Sequence, residues 1–291
     1  MDRTPHVSCI LLNWNGWQDT VECLNALRQC TYQQLSVIVV DNGSTNDSIA
    51  RIREAHPEVR LMASEKNLGF AGGNNIGIRC ALAEGADYIW LLNNDTQPAP
   101  DALSALVAKA ATDERLGAVA SVCYYADEPS TVQAWAGTRV NLWCGYSRNS
   151  TVPHDDNWFH ALYGASMLIA SKAFDEAGLL DEGFFHYWEE TELCLRFRKT
   201  GWKLAAAPGS RVLHKVGAST GKDHPVLDRY FTASGLRILR LHSATPHMAM
   251  SVFLAVRFLR RIFRLQFSRC ESVWKGIEDY RLTVPVTPKI R

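Results

Sequence analysis

Short apolar runs alternate with longer amphipathic stretches over the first 120 residues of the chain. The short runs are rich in β-branched residues and predict buried strands, whereas the longer stretches repeat apolar residues at helical spacing. The predicted strands are Val7–Leu12, Ser36–Val40, Val59–Ala63, Tyr88–Leu92 and Ala118–Val122, and the predicted helices are Trp17–Arg28, Ile49–Ala55, Gly73–Leu82 and Asp101–Ala111. This alternation predicts an α/β fold with a Rossmann-like, mostly parallel sheet flanked by helices.

The pattern changes in the second half of the chain. Residues 125–160 are rich in Trp, Asn, Ser and Asp, and they predict loops or a β-hairpin. Ordered structure is expected again at Tyr163–Ala170, in a helix over Glu189–Lys199, and in strands at Lys203–Ala206 and Ser210–Leu213. From about residue 230 the pattern is helical. We therefore expect a main domain over residues 1–230 and a C-terminal helical appendage over residues 231–291.

Composition excludes several classes of protein. The formal net charge is +1, so no global field favours nucleic acid. Eight cysteines contain no closely spaced pair, which argues against a zinc cluster and favours buried thiols in a reducing compartment. No signal-peptide pattern is visible, and no apolar run approaches the ~18 residues of a membrane-spanning helix. These features predict a cytoplasmic protein.

Residues 248–269 form a basic amphipathic pattern. One face carries apolar residues and the other carries arginines, namely Val252, Val256, Leu259 and Phe263 against Arg257, Arg260, Arg261 and Arg264. Such a helix can lie on an anionic surface, here the inner face of the cytoplasmic membrane. The other interpretation is a helix packed on the core with its arginines in solvent. The sequence leaves both open.

Polar residues follow several predicted strands, at the sheet edge where α/β proteins bind ligands. Asp41 could accept a hydrogen bond from a pyrimidine ring, and Asn42 could contact a ribose. Asp95, in Asn93-Asn94-Asp95, suits a hard divalent cation that carries a diphosphate. Each motif also has a purely structural interpretation, as an Asx turn or as the start of a helix.

A glycine-rich stretch runs from Lys66 to Asn75 into a predicted helix. Exposed N–H groups at a helix start can hold a diphosphate or a sugar hydroxyl. The stretch is neither a Walker loop nor a dinucleotide fingerprint. A plain turn is the alternative. Lys66 could add a positive charge at its start.

An acidic cluster, Glu189-Glu190-Thr191-Glu192, follows the aromatic run Phe184–Trp188. Acidic residues at a helix start are also favoured by the helix dipole, which is the structural interpretation. A glutamate near aromatic rings should have a raised pKa, which suits a general base. His214 ends a predicted strand and could be structural or a metal ligand. The stretch 217–221 predicts a loop that closes over a ligand.

These segments, in this order, resemble family-2 glycosyltransferases of the A-type glycosyltransferase fold, and within them a bacterial rhamnosyltransferase-like branch. The resemblance covers roughly residues 7–240. The matching stretches are Asn13-Trp14-Asn15-Gly16, Val39–Ser44, Lys66–Asn75, Leu91–Thr96, Phe184–Cys194, His214-Lys215 and Ala218-Ser219-Thr220.

The resemblance implies a role for each matching position. Asp95 and His214 would bind Mg²⁺ or Mn²⁺, and Glu190 would be the catalytic base. Trp188 and Glu189 would lie on the acceptor side. The implied donor contacts are Asn13, Asn15, Asp41, Asn42, Lys66, Asn67, Gly72, Asn74 and Asn94. Two positions depart from the general family motifs, because Asn93 stands where the first Asp is usual and Glu190 stands in place of Asp.

The implied reaction is an inverting transfer from a dTDP- or UDP-sugar, with rhamnose as the first candidate sugar. The acceptor would be a glycan or lipid-linked glycan in cell-surface polysaccharide synthesis. Two alternatives stay open, a non-catalytic nucleotide-sugar-binding protein of the same fold and a sugar nucleotidyltransferase. A homodimer is also left open.

Overall fold

The computed structural model describes residues 3–215 and 224–282. Its first half alternates strands and helices as the sequence predicts. The elements are β1 (Val7–Asn13), α1 (Trp17–Leu27), β2 (Leu35–Asp41), α2 (Ser48–Ala55), β3 (Arg60–Ala63), α3 (Gly69–Ala83) and β4 (Tyr88–Asn93). The four strands are parallel in the order β3-β2-β1-β4. Asn13 pairs with Asp41, and Leu12 pairs with Asn93, so the polar strand ends meet at one edge.

The second half of the chain completes a mixed sheet. Its elements are β5 (Thr96–Pro98), α4 (Ala102–Ala110), β6 (Leu116–Tyr125), β7 (Val132–Trp135), β11 (Ser166–Ala170), α5 (Ser171–Ala177), α6 (Glu189–Lys199) and β12 (Lys203–His214). The strand order continues as β4-β11-β6-β12-β5, with β7 beside β6. β11 is antiparallel to both neighbours, so the sheet is less parallel than expected. The chain enters β11 from a small β-sheet rather than through the crossover helix that a parallel strand needs.

That small sheet fills the region predicted as loops or a hairpin. It consists of β8 (Gly137–Asn141), β9 (Tyr146–Asn149) and β10 (Ala161–Leu162) in the order β10-β8-β9. A 3₁₀ turn over Asp156–Trp158 precedes β10. The hairpin prediction is confirmed, and the return strand β10 brings Tyr163 to the edge of the main sheet.

The central strands are buried on both faces. Ile10 and Val40 belong to one apolar cluster, whereas Cys9 and Val39 belong to the cluster on the opposite face. All eight cysteines are free thiols, and four of them are buried. Burial raises the pKa of Cys123 to about 12, so this thiol stays protonated and behaves as a small apolar side chain.

The C-terminal region contains α7 (Val226–His242), α8 (Pro246–Phe263) and α9 (Phe267–Leu282). Residues 248–269 are therefore two helices rather than one, and Leu265, with φ of 54°, forms the turn between them. Helix α7 spans residue 230, which the sequence took as the domain boundary. In the part of the chain that the structure describes, no helix combines the length and the apolar character needed to cross a bilayer.

One buried carboxylate joins these three helices. Asp228 on α7 accepts hydrogen bonds from Arg257 at 2.6 Å, from Arg261 at 2.7 Å and from Arg269 at 2.6 Å. Burial disfavours its ionised form, but the three guanidinium groups hold the pKa of Asp228 below its usual range. Arg257 and Arg261 therefore face inward, and the expectation that all four arginines lie on the solvent or lipid side is wrong.

The Asp228→Ala variant tests this cluster. Removing one partner of a buried ion pair leaves buried charge uncompensated. The free energy of unfolding should therefore fall by about 3–5 kcal/mol. Denaturant unfolding measures the change, and limited proteolysis should cut first within α8 and α9. Glu271→Gln removes an exposed ion pair with Lys275 and serves as the control, with no measurable change expected. Equal stability of both variants would contradict the structural role of Asp228.

Candidate active site

A cleft of about 900 Å³ opens at the carboxyl edge of β1 and β4. The first turns of α6 and α7 form its opposite wall. Most of the polar motifs found in the sequence contribute to it. Among the predicted site residues, Asn42, Asn67, Asn74, Asn94, Asp95, Glu189, Glu190 and His214 line the cleft.

The ends of β1 and β2 are tied together beside the cleft. Asn13 Nδ2 donates to Asp41 Oδ2 at 2.7 Å, and the Ser44 N–H donates to Asp41 Oδ1 at 2.9 Å. Asn15, with φ of 56°, accepts from the Thr45 N–H at 2.9 Å. Asp41 is almost fully buried. These three predicted donor contacts thus build the turn, and they lie behind the residues that line the cleft.

The glycine-rich stretch is organised by Asn42. Its Nδ2 donates to Asn67 Oδ1 at 3.0 Å, and its Oδ1 accepts from the Leu68 N–H at 3.0 Å. Helix α3 begins at Gly69, with φ of +74°, where an added Cβ would collide with the backbone of Phe185. Only glycine accepts this close approach without strain.

The remaining predicted residues of this stretch have different surroundings. Asn74 lies in the first turns of α3 and donates to the Phe70 carbonyl at 2.9 Å. Gly72 lies inside α3, where an added Cβ would crowd Leu68. Lys66 is exposed and forms no ion pair with any described residue. The stretch therefore places the side-chain amides of Asn67 and Asn74 in the cleft lining, and the Lys66 ammonium lies at its start.

The two asparagines after β4 differ in their surroundings. Asn94 Nδ2 donates to Thr20 Oγ1 at 3.0 Å, which fixes the turn onto α1. Asn93 lines the cleft, and within residues 3–215 and 224–282 its side-chain amide has no hydrogen-bond partner. The sequence predicted Asn94 as a contact to the nucleotide-sugar donor. In the structure the side-chain amide of Asn93 is the one more available to bind a ligand.

Asp95 and His214 form a close pair in the cleft. Strand β5 pairs with β12 so that Thr96 lies opposite His214, which brings Asp95 Oδ1 to 3.2 Å from His214 Nε2. His214 Nδ1 donates a hydrogen bond to Gln133 Oε1 at 2.8 Å, so Nε2 is the ring nitrogen that faces Asp95. Tyr163 Oη is 3.3 Å from the same Nδ1.

This geometry fits a divalent cation. Two ligand atoms about 2.1 Å from one ion and 3.2 Å from each other subtend nearly a right angle, as octahedral coordination requires. In the described residues no group of three or more His, Cys, Asp or Glu side chains could hold a metal. A cation here would need further oxygen ligands from a substrate diphosphate and from water.

Helix α6 brings the acidic cluster to the cleft. Tyr187 and Trp188 precede it with φ of 71° and 73°, a conformation that non-glycine residues adopt at some cost in energy. These two residues turn the chain so that the helix starts at the cleft. Burial raises the pKa of Glu190, as the sequence predicted. Burial, and then the adjacent charge of Glu190, raises the pKa of Glu189 further.

Glu192 has a different role from its two neighbours. It accepts from Arg196 Nε at 2.8 Å and lies 3.1 Å from His242 Nε2. Burial alone would raise its pKa, but the hydrogen bond from His242 and the charge of Arg196 lower it. Glu192 therefore stays ionised inside a salt bridge that joins α6 to α7, which leaves Glu189 and Glu190 as candidate bases.

Aromatic side chains line the same side of the cleft as the acidic cluster, and the sequence indicated them only as a general aromatic run. Phe185 and Tyr230 pack with ring centroids 4.8 Å apart, and both line the cleft. His186 also lines it, and burial lowers its pKa to about 4. Trp188 is instead buried against Phe231 in the core. Tyr230 and Tyr163 were missed because isolated tyrosines carry no local signal in the sequence.

The fold and cleft define a class of protein. The chain superposes on a mannosyltransferase from Pyrobaculum calidifontis, described with GDP-Man and Mn²⁺, with a TM-score of 0.60 and 15% identity over 98% of this chain and 77% of that one. This likeness confirms the A-type glycosyltransferase fold.

A family model described as glycosyl transferase family 2 matches residues 8–175, more than half of the chain. The chain therefore belongs to glycosyl transferase family 2, and it is a glycosyltransferase. It is 28% identical over 258 residues to the N-acetylglucosaminyl-diphospho-decaprenol L-rhamnosyltransferase of Mycobacterium tuberculosis, covering 80% of this chain and 79% of that protein. It is 25% identical over 205 residues to the dTDP-rhamnosyl transferase RfbF of Shigella flexneri, covering 68% and 66%. These likenesses confirm the rhamnosyltransferase-like branch.

The expected loop over residues 217–221, including the family match at Ala218, Ser219 and Thr220, lies outside the described residues.

The two glutamates should respond differently to neutralisation. The ionised form of Glu192 stabilises the fold above its unfolded pKa, and that contribution is lost as the pH falls through the lower folded pKa. Glu192→Gln should therefore cost about 1.5–3 kcal/mol at neutral pH. Glu190→Gln should leave the unfolding midpoint unchanged or higher, because burial disfavours its charge. Differential scanning calorimetry compares them, and equal losses would contradict this separation.

Proposed function

We propose that the chain transfers a sugar, with inversion at the anomeric carbon, from a dTDP- or UDP-sugar to a hydroxyl of a glycan or lipid-linked glycan in cell-surface polysaccharide synthesis. The proposal rests on two groups that lie in the same cleft. The cleft holds a carboxylate–imidazole pair suited to a cation, Asp95 with His214, and a glutamate of raised pKa at a helix start, Glu190.

The nucleotide would bind along the carboxyl edge of β1 and β2. Asp41 is almost fully buried behind the cleft lining, so a direct bond to the N3–H of a pyrimidine would need the adjacent turn to shift. A carboxylate has about four acceptor sites, so its two existing bonds leave room for that contact. Asn67 and Asn93 offer amides to ribose or phosphate. Lys66 adds an exposed positive charge near the diphosphate.

Asp95 and His214 would hold Mg²⁺ or Mn²⁺ together with the donor diphosphate. The bound cation would neutralise the charge that develops on the leaving diphosphate. Gln133 orients the imidazole, and Lys215 donates its N–H to the Asp95 carbonyl at 3.0 Å. Because the described part of the chain offers two ligands here, cation and donor should bind cooperatively.

Glu190 would take the proton from the acceptor hydroxyl. Its raised pKa brings it closer to neutrality, where a general base is most effective. The deprotonated oxygen attacks the anomeric carbon as the bond to the diphosphate breaks, through an oxocarbenium-like transition state. A single displacement inverts the configuration. The Gly164 backbone packs against the Glu190 side chain and restricts its position.

The names of the two rhamnosyltransferase relatives support a choice of candidate donor and acceptor. One acts on a diphospho-decaprenol-linked acceptor, and both are rhamnosyltransferases, so a rhamnose donor and a lipid-linked glycan are the first candidates. Phe185 and Tyr230 present aromatic faces on which a sugar ring can stack. Glu189 lies on the same side of the cleft, whereas the burial of Trp188 allows it to act only by positioning this wall.

The base assignment is tested by Glu190→Gln. The amide cannot accept the proton, so kcat should fall by about 10²–10⁴-fold while the donor Kd stays nearly constant. Glu190→Asp retracts the carboxylate by roughly 1 Å and should cost ~10²-fold. Glu271→Gln, at an exposed position of α9, is the matched control and should keep full activity, whereas a larger loss in Glu189→Gln than in Glu190→Gln would assign the base to Glu189. Radiolabelled sugar transfer measures the rates, and lost donor binding with normal turnover would contradict the base role.

Donor binding is tested by calorimetry with dTDP-rhamnose and UDP-hexoses, with and without Mn²⁺ or Mg²⁺. One donor should bind in a metal-dependent manner, and Asp95→Ala should abolish that dependence. Asp127→Asn, on an exposed turn, is the control. Absence of binding by every pyrimidine-diphosphate sugar would overturn the proposal. Tight binding without turnover would indicate a binding protein, and pyrophosphate release from a nucleoside triphosphate would indicate a nucleotidyltransferase.

A further inference from the structure

Helix α8 turns its apolar stripe away from the protein. Its inward face carries Ala249 and Phe253, which are buried against the core. The outward face and the following turn expose large apolar side chains, with Phe263 81%, Leu265 76% and Phe267 64% accessible. Val252, Val256 and Leu259 extend the same stripe toward the start of the helix. A continuous exposed apolar surface of this kind marks an interaction site.

The charges beside the stripe have one sign. The sequence from residue 243 to residue 270 contains five arginines and no acidic residue. Arg260 and Arg264 are exposed, and among the described residues neither has an ion-pair partner. Arg257 and Arg261 face the other way and bind Asp228 on the inner side of the helix.

This combination favours a negatively charged, apolar-cored partner over a second copy of the chain. A two-fold contact through the stripe would bring the same arginines of both copies together, which repels them. An anionic bilayer attracts them, and their long stems can reach the headgroups while the apolar residues enter the acyl boundary. The helix is about 27 Å long and can lie flat along such a surface.

We propose that the outward face of α8, together with Leu265 and Phe267, docks on an anionic lipid bilayer. The position of this face relative to the cleft adds to the inference. Arg257 and Arg261 donate hydrogen bonds to Asp228 in the first turn of α7. Val226 and Leu227 of the same turn line the cleft. Docking therefore holds the α7 wall of the cleft close to the lipid. The proposal does not depend on the reaction that the cleft performs.

The test is co-sedimentation of the full chain with vesicles of phosphatidylglycerol and phosphatidylcholine in equal parts, and with vesicles of phosphatidylcholine alone. Wild type should bind the anionic vesicles in a salt-sensitive manner. Arg260→Glu with Arg264→Glu should lower the affinity by roughly tenfold or more. Phe263→Ser with Leu265→Ser should lower it at least as much, because these side chains would no longer enter the acyl boundary.

Matched controls separate docking from general charge and folding. Arg53→Glu with Lys172→Glu reverses two exposed cations on other elements, and Val152→Ser removes an exposed apolar side chain elsewhere. These variants should bind vesicles like wild type. All variants should keep the wild-type unfolding midpoint and donor affinity, so a failure of docking leaves the proposed reaction untouched.

Three results would overturn the proposal. The first is wild type that does not bind anionic vesicles. The second is binding that survives both double variants. The third is a wild-type dimer in sedimentation velocity that both double variants dissociate, which would make the stripe a contact between copies.

Discussion

The backbone pairing of Thr96 with His214 is the contact on which the candidate site depends. It joins a three-residue strand that follows the Asn93-Asn94-Asp95 turn to the last residue of β12. Without this pairing, Asp95 would end β4 as an isolated carboxylate, and His214 would end a distant strand. With it, Gln133 and Tyr163 gather around the imidazole from β7 and from the end of β10. The antiparallel strands that make the sheet mixed thus assemble the surroundings of Asp95 and His214 in the cleft.

Burial and pairing set the chemistry of the three glutamates in α6. All three lie in the first turn of the same helix and feel the same dipole. Glu192 has a guanidinium and an imidazole beside it and stays ionised. Glu189 and Glu190 have no cationic partner among their described contacts, so desolvation dominates and their pKa values rise. One helical turn therefore contains both a structural carboxylate and candidate catalytic carboxylates. Their adjacent positions in the sequence do not distinguish these roles.

The sequence predicted the elements that rest on local pattern and missed those that rest on tertiary contacts. The parallel strands β1 to β4 and helix α6 follow from apolar periodicity, and their bounds agree within a few residues. The antiparallel entry of β11 depends on the small sheet before it, which weak periodicity could not resolve. In α8 the amphipathic pattern was predicted, but the pattern left open which face of the helix packs on the core. Asp228 lies in another helix, and only the folded chain shows that it draws two arginines inward.

The three-arginine cluster on Asp228 has a thermodynamic consequence for the whole C-terminal region. Opening α7 alone would remove Asp228 from the three guanidinium groups that bind it, so α7 should open in hydrogen exchange together with α8 and α9. Because the first turn of α7 also lines the cleft, ligand occupancy and helix protection are linked. A ligand that orders this wall of the cleft must slow hydrogen exchange in α9. By the same coupling free energy, a contact that immobilises α8 must increase the affinity of the cleft for its ligand.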